Sequence, residues 1–284
     1  MVERVSPVVR GRRLAAELRR LREVAGLTIK QVAEVLECST AKLSRIENGQ
    51  VSVRVQDARE LLDLYAVAEP RRGQLLDLVR QARARAWWHA YSDLLPSDSE
   101  TFIGLEDEAH RVEIHNVGIV PGLLQTERYA WEMNAAFVDL PLDVTTRYTA
   151  LHQARQEILT RPDPVRLHAV LDESVLRREI GGPQVMAEQY RHLIAAAGRR
   201  NITIQILPFD AGAHQSAPYC YNIASFANPA DPKVVYIALL NDCVFHTDAE
   251  HVGRYEAAFT QATAAALEPA GSIRFLEQLA RAIE

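Results

Sequence analysis

Three helical signals follow one another between Val9 and Gly49 with so little chain between them that the segments must pack as short helices joined by tight turns. Leu14, Leu18, Leu21 and Ala25 recur at steps of three and four, the mark of one buried helical face, while Arg12, Arg13, Arg19, Arg20 and Arg22 occupy the rest of that surface. Gly26 stops the helix. Thr28-Ile-Lys-Gln31 then reads as a capping box, in which the Thr hydroxyl and the Gln side chain each satisfy the other's free backbone N–H, and it opens a second helix, Ile29 to Leu36. Ser39 caps a third, Thr40 to Asn48, which Gly49 ends. With Val32, Ala33, Leu36, Leu43 and Ile46 between them, the second and third helices form a helix-turn-helix. An amphipathic helix from Val55 to Tyr65 and another opened by Pro70, from Arg71 to about Arg85, complete a five-helix all-α domain over residues 1–85.

The charge divides along the same line. Residues 1–90 hold 17 Lys and Arg against 11 Asp and Glu, and residues 91–284 hold 15 against 26. A basic segment joined to an acidic body suits a module that faces nucleic acid, carried by a region that must not itself adhere to phosphate.

The run from Leu27 to Gly49, ending in Leu43-Ser-Arg-Ile-Glu-Asn-Gly49, resembles the Xre type of DNA-binding domain, to which λ repressor and Cro belong. That resemblance implies that the Thr40 helix enters the major groove with its N-terminal residues against base edges. Thr40, Ala41, Lys42 and Arg45 are therefore the expected base contacts: a cation can donate to guanine O6 and N7, and a methyl can pack on thymine. Thr28, Lys30, Ser44 and Asn48 are the expected phosphate contacts, which fix register without reading sequence. Glu37 stands at the turn position where relatives usually carry Gly, so a non-Gly residue is expected in a left-handed conformation at a cost of roughly 1 kcal/mol. Glu47, an acid that would repel phosphate if it faced DNA, is expected to be structural and bonded near the first helix.

Residues 86–284 read as a larger α+β domain with a mostly antiparallel sheet. Phe102 to about Asn116 reads as a helix whose Glu106 and His110 lie on a solvated face. Further helices are expected from Thr126, Asp143 and Pro183, and two more at Ala249–Leu267 and Gly271–Ile283. Strands are expected at Arg166–Asp172, Asn201–Leu207, Tyr219–Phe226, Lys233–Leu239 and Cys243–His246. The phrases Val120-Pro-Gly-Leu-Leu-Gln-Thr-Glu127, Val170-Leu-Asp-Glu173 and Ile206-Leu-Pro-Phe-Asp-Ala-Gly-Ala-His214 resemble the antitoxin-like Xre regulators of filamentous, spore-forming bacteria. This implies a transcriptional regulator that acts with a small protein encoded beside it.

The expected activity is sequence-specific DNA binding by a homodimeric repressor on a palindromic duplex, since one short helix reads few base pairs. The larger domain is expected to supply regulation and the dimer contact and to bind the small partner; the alternative is that it senses a metabolite. Trp87, Trp88, Tyr91 and His214 are the candidate partner or ligand surface. No G-x-S-x-G, H-E-x-x-H or Gly-rich phosphate loop is present, so no enzyme and no cofactor are expected. Three cysteines, Cys38, Cys220 and Cys243, without C-x-x-C spacing give no expectation of a disulfide or a metal site. An N-terminus with arginines but no apolar h-region, and no apolar run of bilayer length, lead to the expectation of a cytoplasmic protein without membrane contact.

Overall fold

A computed structural model describes residues 7–49, 51–83, 86–95, 97–136, 141–228, 231–239 and 243–283. The chain divides into two units, Met1–His89 and Ala90–Glu284; the expected boundary at residue 85 lies outside the described residues.

The first unit contains the five expected helices, α1 (Pro7–Val24), α2 (Ile29–Val35), α3 (Thr40–Glu47), α4 (Val55–Leu64) and α5 (Arg71–Ala82). The capping box at α2 is closed on both sides. Gln31 N donates to Thr28 Oγ1 at 3.3 Å, and Thr28 N donates to Gln31 Oε1 at 2.9 Å. Ser39 Oγ accepts from Lys42 N at 3.1 Å and starts α3. Between them Glu37 takes φ 49°, the left-handed turn expected of it, and Cys38 N donates to the Ala33 carbonyl at 2.9 Å. Leu14, Leu18, Val32, Leu43, Ile46, Ala58, Leu61 and Val79 fill the core. Truncating one such buried leucine to alanine costs about 2–5 kcal/mol. Glu47 is structural as expected: Arg22 holds it through Nε–Oε1 at 2.7 Å and Nη2–Oε2 at 2.9 Å, and Arg22 Nη1 also donates to the Leu27 carbonyl.

The second unit is α+β. Its six strands are β1 (Arg111–Asn116), β2 (Arg166–Asp172), β3 (Ile202–Leu207), β4 (Tyr221–Ser225), β5 (Val234–Ala238) and β6 (Cys243–His246), in the order β3-β2-β1-β4-β5-β6. The sheet is mixed. The pairings β1–β4, β4–β5 and β5–β6 are antiparallel, while β1–β2 and β2–β3 are parallel. Parallel neighbours need long crossovers, and helices supply them. Between β1 and β2 run α7 (Glu127–Ala135) and α8 (Leu142–Arg155); between β2 and β3 run α9 (Glu173–Arg177) and α10 (Pro183–Ala197). The chain ends with α11 (Ala249–Ala265) and α12 (Pro269–Ile283). Val112, Ile114, Leu167, Ala169, Leu171, Ile204 and Ile206 pack on one sheet face with α10 and α12; Val170, Leu207, Tyr221, Ile223 and Val235 pack on the other with Val252 and Phe259 of α11.

The structure corrects one expected helix. Phe102–Asn116 is not continuous: α6 (Ser97–Glu108) ends and β1 begins three residues later. His110 already belongs to the ladder, donating to the Ser225 carbonyl at 2.8 Å and accepting from Arg166 N at 3.0 Å. Val112 and Ile114 face one side of the sheet and His115 the other, so alternation, not a helical stripe, governs this segment. Glu106 is corrected too. It is 2% exposed and bound to Arg155, with Nε–Oε2 at 2.9 Å, and its Oε1 accepts from the Tyr236 hydroxyl at 3.0 Å.

Candidate nucleic-acid interface

The face of α3 away from the core is small and open at its N-terminal end. Leu43 and Ile46 point inward, so Thr40, Ala41 and Arg45 project outward with Asn48 one turn on, all exposed. Ala41 and Arg45 are four apart and share one stripe of the helix. Among the described residues Arg45 and Lys30 form no ion pair, so both cations remain available to an anion. Lys42 differs. It is half-buried and its Nζ donates to Asp57 Oδ2 of α4 at 3.2 Å, so reading a base requires it to leave that carboxylate. Thr28 and Asn48 also have internal duties. The Thr28 hydroxyl closes the α2 cap, and Asn48 Nδ2 donates to Ser44 Oγ at 3.4 Å. Thr28 is the N-cap of α2, the end at which a helix dipole favours an anion, whereas Asn48 is the C-cap of α3.

Residues 13–75 match the helix-turn-helix domain family, and residues 99–278 match the family described as a domain of unknown function, DUF5753. The chain belongs to the DUF5753 family. A helix-turn-helix domain marks a DNA-binding regulator, and DUF5753 is the region that accompanies it here. No curated protein and no solved structure matches the chain. No helix of the described residues is long and apolar enough to cross a membrane.

The expected partner surface separates into unlike parts. Trp88 is 1% exposed, packed edge-on against Trp87 with ring centroids 5.6 Å apart, and supplies no surface; burying an indole removes a large apolar area from water. Trp87 stays 37% exposed and Tyr91 is half-buried. In the DUF5753 region, His214 lies edge-on to His115, centroids 5.8 Å apart. His115 Nδ1 donates to the Tyr219 carbonyl at 2.8 Å and its ring stacks on Tyr221, whose hydroxyl meets Ser216 Oγ at 2.8 Å. Burial holds His115 below the usual imidazole range and pushes Tyr221 up to about 12. His115 Nε2 and His214 Nδ1 are both buried without a partner. The thiol of Cys220 engages the backbone of Val117 instead of an imidazole, so no thiol–imidazole pair forms there.

Proposed function

We propose that this chain is an Xre-type, sequence-specific transcriptional regulator that binds a palindromic duplex as a homodimer and represses the genes beside it. The observation that carries the reading is the outward stripe of α3, where Thr40, Ala41 and Arg45 stand exposed over a helix-turn-helix whose caps and core are complete. Thr40, Ala41, Lys42 and Arg45 read bases; Thr28, Lys30, Ser44 and Asn48 position phosphates. Two copies double the short sequence that one helix can read, and the larger region supplies the dimer contact. It also receives a small partner protein, whose binding changes DNA affinity by favouring one state of the regulator over another.

The test is a fluorescence anisotropy titration of the full-length protein onto a duplex from its own upstream region and onto a scrambled duplex, with light scattering for mass. Preference for the upstream duplex and a dimeric mass are expected. Equal affinity for both duplexes removes the reading of α3 as a sequence reader, and a monomeric mass with and without DNA removes the dimer.

A second reading makes the body a sensor of a small metabolite. The ring nitrogens His115 Nε2 and His214 Nδ1, each sealed from solvent without a partner in rings 5.8 Å apart, favour it, because a ligand that satisfied them would recover hydrogen bonds the protein leaves unmade. Thermal stabilisation by a cell extract freed of macromolecules supports the sensor; co-purification of a small protein supports the partner.

A further inference from the structure

We propose that His246, Asp248 and His251 form a surface site for a divalent transition-metal cation of the zinc type. The sequence His246-Thr-Asp-Ala-Glu-His251 runs from the last residue of the edge strand β6 into the first turn of α11, and this junction folds the three side chains together. One ligand atom from each lies within 4.8 Å of the other two. Zinc takes imidazole nitrogen and carboxylate oxygen at about 2.0–2.2 Å, which sets neighbouring ligands of a tetrahedral shell about 3.3 Å apart. The side chains of Asp248 and His251 are 55% and 51% exposed, so rotation of groups that face solvent closes the difference.

The pair Asp248–His251 is already arranged for this exchange. Asp248 Oδ1 accepts from His251 N at 2.9 Å, capping α11, and from His251 Nδ1 at 2.7 Å. The Asp248 side chain faces solvent and is an ordinary carboxylate at neutral pH. A cation entering between Oδ1 and Nδ1 takes the place of the shared proton, and the neutral imidazole carries its proton on Nε2 instead. His246 is kept beside them by ring stacking: its ring lies 4.9 Å from that of His251 at 6°, and 5.9 Å from Tyr255 at 24°. Water completes the shell. The ordinary reading of Asp248 and His251 is a helix cap, but a cap needs neither imidazole, and nothing in it involves His246. The positive end of the α11 dipole opposes a cation, so the carboxylate charge is indispensable. Two imidazoles select a borderline metal over Mg2+, which prefers oxygen alone.

The experiment is calorimetric titration of Zn2+ into untagged, chelator-treated full-length protein, with Mg2+ as control. One zinc per chain and no Mg2+ binding are expected. His246→Ala, which leaves the α11 cap intact, and Asp248→Asn, which keeps a capping oxygen but removes the charge, are each expected to weaken zinc by about tenfold or more. Circular dichroism checks that the folds are unchanged. No zinc binding by the wild type, zinc binding unaltered in His246→Ala and Asp248→Asn, or equal binding of Mg2+ overturns the proposal.

Discussion

Each unit ties its core with a buried arginine–carboxylate pair, Arg22–Glu47 in the first and Arg155–Glu106 in the second, with both partners of each pair about 10% exposed or less. Their surroundings differ. Arg22 has a second acceptor in the Leu27 carbonyl and lies 3.7 Å from the half-exposed Glu23, so it retains partners when Glu47 is lost. Arg155 stacks on the Phe102 ring at 4.5 Å, and Glu106 also holds the Tyr236 hydroxyl, so α6, α8 and β5 meet at one carboxylate. Loss of Glu47 leaves Arg22 with other acceptors, whereas loss of Glu106 strands the Arg155 guanidinium and the Tyr236 hydroxyl together.

The largest effect is therefore expected from Glu106→Ala. Removing one member of a buried pair leaves the other charge uncompensated, at about 3–5 kcal/mol. Glu47→Ala is expected at the low end of that range, because Arg22 keeps the Leu27 carbonyl. Urea unfolding of both variants measures the difference, and an equal cost would mean that the extra contacts of Glu106 carry no weight.

The units also differ in how they meet acid. No histidine precedes His89, and the second unit holds eight, of which His115, His152, His168 and His192 are all shifted down by burial. Burial, with Arg155 adding to it, holds His152 at about 3, and its Nδ1 is sealed without a partner. A histidine held below its unfolded value binds protons more readily in the unfolded chain. Its contribution is thus complete above about pH 6.5 and is lost as pH falls towards 3; at pH 5 the loss from His152 alone is roughly 2 kcal/mol. Tryptophan fluorescence is a poor reporter here, since Trp87 and Trp88 lie in the first unit and Trp131 in the second, so amide exchange resolved by region should follow the transition. Protection is expected to fall first in the second unit, and His152→Leu is expected to flatten the slope.

The same contrast explains what could be read from the chain beforehand. In the first unit the determinants are local: Thr28 with Gln31, Ser39 with Lys42 N, and apolar residues three or four apart each settle a helix within one turn. The turn at Glu37 was legible for the same reason. In the second, β1 was hidden because His110–Asn116 mixes charged and apolar residues, and only the pairing with β2 and β4 makes its alternation decisive. Nothing near Glu106 in the sequence marks it as buried, because its partners, Arg155 and Tyr236, lie 49 and 130 residues away. The parallel pairings were equally non-local, depending on crossovers whose direction no strand records by itself.

On DNA, Arg45→Ala is expected to cost roughly 1–3 kcal/mol on the preferred duplex and to relax choice at one base pair. Lys30→Ala is expected to weaken all duplexes alike and to lower the salt slope by about 1. Anisotropy on preferred and random duplexes at several salt concentrations separates the two, and equal losses on both duplexes for both variants would erase the division of Lys30 and Arg45 into positioner and reader.

The smallest effect concerns Lys42, the one expected base contact that has a partner inside the protein. Its pair with Asp57 is partly exposed, with side chains 38% and 20% accessible, so it contributes about 0–1 kcal/mol to stability. Asp57→Asn is then expected to leave unfolding nearly unchanged. It removes a competitor for the Lys42 ammonium and a negative charge beside the interface, so affinity for every duplex is expected to rise, most on the preferred one, and discrimination between duplexes to rise slightly. If Lys42 instead reads a base from the Asp57-bound position, the carboxylate fixes its aim, and Asp57→Asn lowers discrimination. The ratio of preferred to random affinity decides between a lysine restrained by Asp57 and one aimed by it.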